Sequence, residues 1–331
     1  MSIVYNGDRA FVKMLKEICA EEGIALTMTS YDWMGKVQKG EKTGFIWGYQ
    51  LPENHAASHL ICKDKSGVYD FLSAEGIPAV PHHLFLTPKE TGYLGVTDNW
   101  GRMAELLTRY GEVVVKPNEG TGGDLVLRAQ TQGELERAVF SVFQEYRTLA
   151  ISPFLEIENE YRVIVSGGKE KLVFAKQRPF VTGDGETPLS VLASEKYADR
   201  SFDVVDRVPE NGENVLLSWH HNLGKGAYAR VVTDGEERKV PVRLALRAAK
   251  AVGIEFASVD VVKVGEEYFV LEINAGVMTE RFSMESEENY ATAKEIYREA
   301  LLRYFAEGEA STQENQESKE KKGFFSRLFK K

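Results

Sequence analysis

The chain has 331 residues, 43% hydrophobic and 27% charged, enough for two or three lobes with cores of an ordinary soluble, globular kind. A net charge of −9 argues against a general nucleic-acid binder, and two cysteines without a CxxC argue against a disulfide framework or a structural zinc site. Met1–Tyr5 has no basic stretch leading into an apolar one, and no uninterrupted apolar run reaches membrane-spanning length, so a cytoplasmic location is expected.

Residues 1–62 read as a small α/β unit, with Ile3–Tyr5 as a strand, Phe11 to Glu22 as a helix and Ala25–Thr29 as a second strand. Lys65 to Ala74 reads as a helix stopped by Gly76–Ile77–Pro78, after which Val80–Leu86 runs extended. Arg102–Tyr110 is helical, and Val113–Val115 is an apolar strand ending at Lys116–Pro117. The glycine-rich stretch Glu119–Gly120–Thr121–Gly122–Gly123 follows, then a strand at Leu125–Arg128 and a helix at Leu135–Tyr146. Leu149–Leu155 reads as a connector, with Pro153 at an edge or bend.

Glu160–Val165 and Lys171–Lys176 read as a hairpin around Gly167–Gly168. Glu160 and Arg162 share one face of the first strand, Lys176 and Arg178 one face of the second. A register that joins those faces lines one side of the sheet with four charges. Val242–Val252 and Asn289–Phe305 are amphipathic helices. Cys19 and Cys62 read as small buried residues, Trp219 as packing, and His220–His221 as a hydrogen-bonded or exposed pair rather than a metal site.

The most informative segment is Val259–Val262, a turn Gly265–Glu266–Glu267, and Tyr268–Asn274. Two β-branched and aromatic runs around a short turn with glycine predict a hairpin. Pairing outward from Glu266 sets Asp260 opposite Glu272, with Asn274 two residues on along the same face. Val259, Val261, Leu271 and Ile273 then point into a core. Two facing carboxylates repel each other. Either they face water, or they hold a cation. Three hard oxygen donors without His or Cys suit magnesium better than zinc.

Lys116 and the glycine run pose a related question. A lysine ending an apolar strand before a glycine-rich loop can set an ammonium and backbone N–H groups around phosphates. No G-K-[ST] follows the glycines and GxGxxG is not matched, so neither a Walker loop nor a dinucleotide fingerprint is present. A phosphate-covering loop between two strands and an ordinary β-turn both satisfy the pattern.

In order, the motifs are Asp64–Lys65 before a helix, Gly76–Ile77–Pro78, Lys116 with its glycines, Glu160–Tyr161–Arg162–Val163, Lys176 and Arg178, Asn222–Leu223–Gly224–Lys225–Gly226, and Asp260 with Glu272–Ile273–Asn274. This succession resembles the ATP-grasp superfamily from about Lys63 to Phe305. The segments VTGDGETPLSVL, NLGKGAYARVVTD and AAKAVGIEFASVDVV are similar to RimK-type glutamate ligases and to the ATP-grasp part of cyanophycin synthetase.

The resemblance implies an α+β ATP-grasp fold, two α+β lobes (residues 63–150 and 151–306) gripping ATP, preceded by the small α/β domain of residues 1–62. It implies that Lys65 and Lys116 contact ATP phosphates and that Glu119, Gly120, Thr121, Gly122 and Gly123 form the mobile phosphate loop. Pro153, Phe154 and Leu155 fall at the adenine edge and Glu160 at the ribose. Asp260, Glu272 and Asn274 match magnesium ligands, for one or two Mg²⁺ with Mn²⁺ able to substitute. Arg178, Lys225 and, less directly, Arg162 match basic positions near the transferred phosphoryl group. The implied activity is a carboxylate–amine ligase acting through an acylphosphate on small-molecule or peptide substrates. The alternatives are a phosphotransferase of the same fold and a non-catalytic ATP-binding scaffold. One departure is Ala275–Arg281, where relatives commonly show a proline-glycine turn; there Glu280 and Arg281 either select a zwitterionic substrate or pair with each other.

Glu307 to Ser318 is polar and acidic and reads as a disordered linker. Lys319–Lys331 carries six Lys/Arg against one Glu, with Phe324, Phe325, Leu328 and Phe329 at helical spacing. This basic, aromatic tail suits an anionic membrane surface or a partner groove, or is simply a basic tail.

Overall fold

The structure is a computed structural model that describes residues 9–95, 98–120, 122–197, 202 and 204–306. The strand expected at Ile3–Tyr5, Thr121 and the segment from residue 307 lie outside these residues. Two compact units divide the chain, residues 1–54 with 276–331, and residues 55–275. The expected divisions fell instead at residues 62, 150 and 306.

In the first unit, α1 (Ala10–Glu21) buries Phe11, Met14, Leu15 and Ile18, an i, i+3, i+4, i+7 set on one face. The strands β1 (Ala25–Thr29), β2 (Met34–Lys39) and β3 (Lys42–Trp47) form an antiparallel meander in that order. Val37 and Ile46 point inward while Lys36, Gln38, Phe45 and Trp47 point out, the period-two alternation of a sheet with one covered face.

The second unit opens with α2 (Ala56–Lys63) and α3 (Lys65–Ala74). Asp64 caps α3, its carboxylate accepting from the Gly67 N–H at 2.7 Å, which starts the helix at Lys65. A four-stranded antiparallel sheet follows, in the order β4–β7–β5–β6. Along the chain its elements are β4 (His83–Leu86), α4 (Pro88–Leu94), α5 (Asn99–Tyr110), β5 (Val113–Pro117), β6 (Leu127–Ala129), α6 (Gln132–Glu145) and β7 (Thr148–Pro153). The expected connector at Leu149–Leu155 is therefore mostly a central strand: Leu149, Ala150 and Ile151 are fully buried and only the last two residues leave the sheet. A short apolar run beside a proline carries the same signal in either role. Val113 and Val115 join Leu135, Val142 and Met103 in one core, so alternation turns Lys116 to the opposite face.

The second sheet has the order β12–β9–β8–β13–β14. Its strands are β8 (Asn159–Ser166), β9 (Lys169–Gln177), β12 (Tyr228–Val231), β13 (Phe256–Val264) and β14 (Glu267–Asn274). An excursion between β9 and β12 contains β10 (Phe180–Thr182), α7 (Leu189–Lys196) and β11 (Asn214–Leu216). The helix α8 (Gly235–Ala251) supplies Leu244, Ala245 and Ala248 to a core with Val163, Val173, Val259, Val261, Val270 and Ile273. This covers one face of the sheet; the other carries Glu160, Arg162, Lys176 and Asp260 beside the buried Ile164, Phe174 and Phe256.

The hairpin of β13 and β14 turns differently from the expectation. Val264 pairs with Glu267 across a two-residue turn, with Gly265 at φ 57°, and a β-bulge between Asp260 and Val261 restores the pairing of Asp260 with Glu272. Val270 takes the core position expected of Leu271, which is only half-buried. The chain then returns to the first unit with α9 (Glu280–Met284) and α10 (residues 287–306).

Candidate active site

On the polar face of the five-stranded sheet, Asp260 stands between Arg162 on one neighbouring strand and Glu272 on the other. Arg162 donates to both Asp260 oxygens, Nε to Oδ1 at 2.8 Å and Nη2 to Oδ2 at 2.7 Å. Lys176 Nζ bridges Asp260 Oδ2 at 2.8 Å and Glu160 Oε1 at 2.5 Å. Asp260, Glu160 and Lys176 are buried, so these pairs are charge-assisted contacts shielded from water.

The protonation states follow from that packing. Burial alone raises the Asp260 carboxyl, but Arg162 and Lys176 outweigh it and hold the group well below the usual carboxylate range. Glu160 goes the other way, raised by burial and by the neighbouring Asp260 charge against the pull of Lys176. Of the four charges expected on one side of the sheet, three are joined. Arg178 lies just past the end of β9, half-buried, with no polar partner among the described residues.

The two lysines expected at phosphates are both largely withdrawn from water. Burial, with the Lys65 charge nearby, lowers Lys116 to about 8 against the opposing pull of Glu272 and Glu160. Burial also lowers Lys65, opposed by Glu272, Asp64 and Glu119. Lys65 Nζ donates to the carbonyls of Pro117, Asn118 and Gly120 at 3.3, 3.4 and 2.9 Å. It therefore holds the start of the glycine loop. Glu119 is exposed.

The loop joins β5 to β6. Gly122 and Gly123 have φ of 73° and 74°, and a Cβ on Gly120 would come within 2.8 Å of the Pro117 side chain, so the glycines answer a backbone requirement. From the far side, Asn222 Nδ2 donates to the Gly122 carbonyl at 3.0 Å and Lys225 Nζ to the Gly123 carbonyl at 2.8 Å. Asn222 also caps the 3₁₀ turn Leu223–Lys225 through the Gly224 N–H. Lys225 thus contacts loop backbone, and Asn222, which the motif reading named without a role, does the same.

Where β7 ends at Pro153, the Phe154 N–H donates to the Glu112 carbonyl at 3.0 Å, and the Leu155 carbonyl accepts from Ile157. The Phe154 ring meets Trp219 edge-on at 5.9 Å and carries the Arg128 guanidinium 3.7 Å above it. Trp219 stacks on His220 at 3.9 Å. Trp219 thus packs, as expected, against Phe154, a partner that its distance in sequence hid. His221 Nδ1 bonds the Lys176 carbonyl at 2.8 Å, the hydrogen-bonded reading of the histidine pair.

Asp260, Glu272 and Asn274 can be tested as a magnesium set. Among the described residues no cluster of three or more His, Cys, Asp or Glu suits a metal, so the set is two carboxylates and an amide. A carboxylate has about four lone-pair sites. Arg162 and Lys176 use three on Asp260, leaving one on Oδ1. Asn274 Nδ2 donates to Glu272 Oε1 at 3.0 Å, and neither side chain has another hydrogen-bond partner among the described residues. Hard oxygens with lone pairs to spare fit Mg²⁺.

Glu280 corrects an expectation in the first unit. Its carboxylate accepts from the Ala10 N–H at 2.8 Å and the Phe11 N–H at 3.1 Å, and it is 2% exposed. It caps α1 across the chain rather than selecting a substrate.

Residues 203–298 match the family model described as RimK-like ATP-grasp domain. The chain is 29% identical over 252 residues to a probable alpha-L-glutamate ligase from Sodalis glossinidius, covering 75% of this chain and 68% of that protein. It is 26% identical over 231 residues to cyanophycin synthetase from Geminocystis herdmanii, covering 61% of this chain and 25% of the relative. Its fold is similar to that of a bifunctional glutathione synthetase from Pasteurella multocida, with a TM-score of 0.54 and 17% identity, covering 88% of this chain and 43% of that one. The chain thus spans from a quarter to two thirds of these proteins.

Proposed function

We propose that this chain, which has the ATP-grasp fold and a RimK-like domain at residues 203–298, is an ATP-dependent carboxylate–amine ligase. One observation carries the reading: a single sheet face sets Asp260, Glu272 and Asn274 side by side, with Glu272 in the field of the half-buried Lys65 and the buried Lys116 of the glycine-loop lobe.

A carboxylate is a poor electrophile because its leaving group would be oxide. Transfer of the γ-phosphoryl group of ATP to a carboxylate oxygen releases ADP and gives an acylphosphate. An amine then attacks the carbonyl carbon, the C–O bond to phosphate breaks, and the amine loses a proton as the amide forms. The protein's part is positioning and neutralising charge. Lys65 and Lys116 offset the phosphate charge, and Asp260, Glu272 and Asn274 are the residues that would hold magnesium. When bound, that metal would neutralise further charge on the phosphates. Arg162 and Lys176 fix Asp260 in place. Arg178, without a polar partner among the described residues, is a cation available to the reacting groups. The glycine loop, tethered by Lys65, Asn222 and Lys225, shields the acylphosphate from water when it closes.

The test is release of ADP and phosphate across a pool of amino acids and short peptides, with mass spectrometry of the products. An amide product is the expected result. A phosphorylated product without condensation makes the chain a phosphotransferase, and ATP binding without turnover makes it a binding scaffold.

A further inference from the structure

Ser258 stands on the same face of β13 as Asp260, two residues away, and the ligase chemistry above does not use it. It is 1% exposed, and its hydroxyl oxygen has no hydrogen-bond partner among the described residues. An unpaired buried hydroxyl is destabilising where an alanine would not be, so its place here calls for a partner. Its neighbours on that face narrow the choice. On β8 it lies opposite Ile164, which is apolar and fully buried, and on β14 opposite Asn274. Along its own strand come Phe256 and Asp260, and Asp260 is already held by Arg162 and Lys176. Asn274 is therefore the polar side chain that Ser258 meets across a ladder. Facing residues of an antiparallel pair have Cβ atoms about 4.5–5.5 Å apart, a gap that a hydroxyl and an amide span with one hydrogen bond.

Asn274 carries the complementary problem. Its Nδ2 donates to Glu272 Oε1 at 3.0 Å, so the amide turns its nitrogen, not its oxygen, toward the carboxylate. A hard metal ion is ligated by an amide through the oxygen, since the nitrogen is a donor only. For Oδ1 to share a cation with Glu272, the amide must turn about its Cβ–Cγ bond. That turn exchanges the places of Oδ1 and Nδ2 and takes the N–H away from Glu272. The half-buried amide then needs an acceptor on the side of β13, and the unpaired oxygen of Ser258 is there.

We propose that Ser258 is a positioning residue for the magnesium set, its hydroxyl oxygen accepting from Asn274 Nδ2 when the amide turns Oδ1 toward the metal. The inference rests on Asp260, Glu272 and Asn274 as the residues that would hold magnesium. It gives the Asn274 amide two settings. In one, an N–H of Asn274 offsets the Glu272 charge. In the other, Glu272 and Oδ1 face the cation and Ser258 holds the N–H, which is then not left without a partner. A hydrogen bond from a neighbouring group to a ligating side chain fixes that ligand's orientation and strengthens its hold on the metal. Alanine at this position would keep the fold and lose the second setting.

The test is calorimetric titration of the full chain with a non-hydrolysable ATP analogue, once in Mn²⁺ and once in EDTA. The ratio of the two affinities is the gain due to metal. Ser258→Ala should reduce that gain about tenfold and leave binding in EDTA as in the parent. Asn274→Ala should reduce it at least as much, and the double variant no more than Asn274→Ala alone, since the hydroxyl acts through the amide. Without metal, the melting temperature of Ser258→Ala should equal or exceed that of the parent, because an unpaired buried hydroxyl has been removed. A parent that gains nothing from Mn²⁺ overturns the magnesium assignment and this role with it. A parental gain that Ser258→Ala preserves overturns this role alone, as does a double variant in which the two losses multiply.

Discussion

Arg162 and Asp260 are cross-strand partners on β8 and β13, joined by two hydrogen bonds of 2.8 and 2.7 Å. The pairing changes the part that Arg162 plays. Expected near the transferred phosphoryl group, it instead uses two of its donors on a buried carboxylate. Asp260 is thereby held ionised and fixed in orientation, with Lys176 as its second partner.

Removing Arg162 leaves two buried carboxylates, Asp260 and Glu160, sharing the single ammonium of Lys176. Arg162→Met should therefore cost about 3–5 kcal/mol in urea unfolding, and adding Asp260→Asn should recover part of that loss. Equal stability of the single variant and the parent would mean that the pair is not formed in solution.

Glu272 has a single protein partner among the described residues, Asn274. Glu272→Gln should leave the melting curve close to that of the parent and lower turnover by about a hundredfold or more, because one metal-facing charge is lost. Near-parental turnover, measured as ADP release, would remove Glu272 from the magnesium set.

Lys116 gives a pH signature. Burial holds its folded value near 8, below that of a free lysine, so its charge is present below pH 8 and lost as pH rises through it. Above pH 8, ATP must recharge the side chain in order to bind. Affinity for ATP should fall about tenfold between pH 7 and pH 9, as measured by calorimetry. Lys116→Arg, which stays charged throughout this range, should flatten the profile. A parent profile that is already flat would contradict the role.

Asn222 tethers the glycine loop by one exposed hydrogen bond to Gly122. Asn222→Ala should lower the barrier to loop opening by about 1 kcal/mol, seen as roughly fivefold faster proteolysis between residues 118 and 126. ATP should suppress the cleavage in parent and variant alike. Unchanged cleavage would show that Lys65 and Lys225 suffice to hold the loop.

Much of this molecule is legible in one dimension because strands alternate with period two and amphipathic helices repeat near 3.6. Lys65–Ala74 is helical with the expected bounds, and Asp260 stands opposite Glu272 as the pattern of valines and carboxylates requires. Even there the route differed, since a two-residue turn and a bulge at Leu271 produce the pairing that a longer turn was expected to make. Leu149–Ile151 reads equally well as connector or strand, because a short apolar run carries no period of its own. The β2–β3 hairpin went unread, its Lys and Gly positions offering little β-propensity.

The local pattern thus sufficed to place acidic, basic and glycine residues at the ends and faces of their elements. Which of those charges meet was decided by the order β9–β8–β13–β14, which couples residues nearly a hundred positions apart. That order assigned Arg162 and Lys176 to Asp260 and left Arg178 unpaired among the described residues. In the first unit, packing of α1 against the segment at Glu280 made that residue the cap of α1. A charge announces itself in sequence, but its partner is selected by burial, where an unpaired ion is too costly to keep and the nearest opposite charge in space is taken.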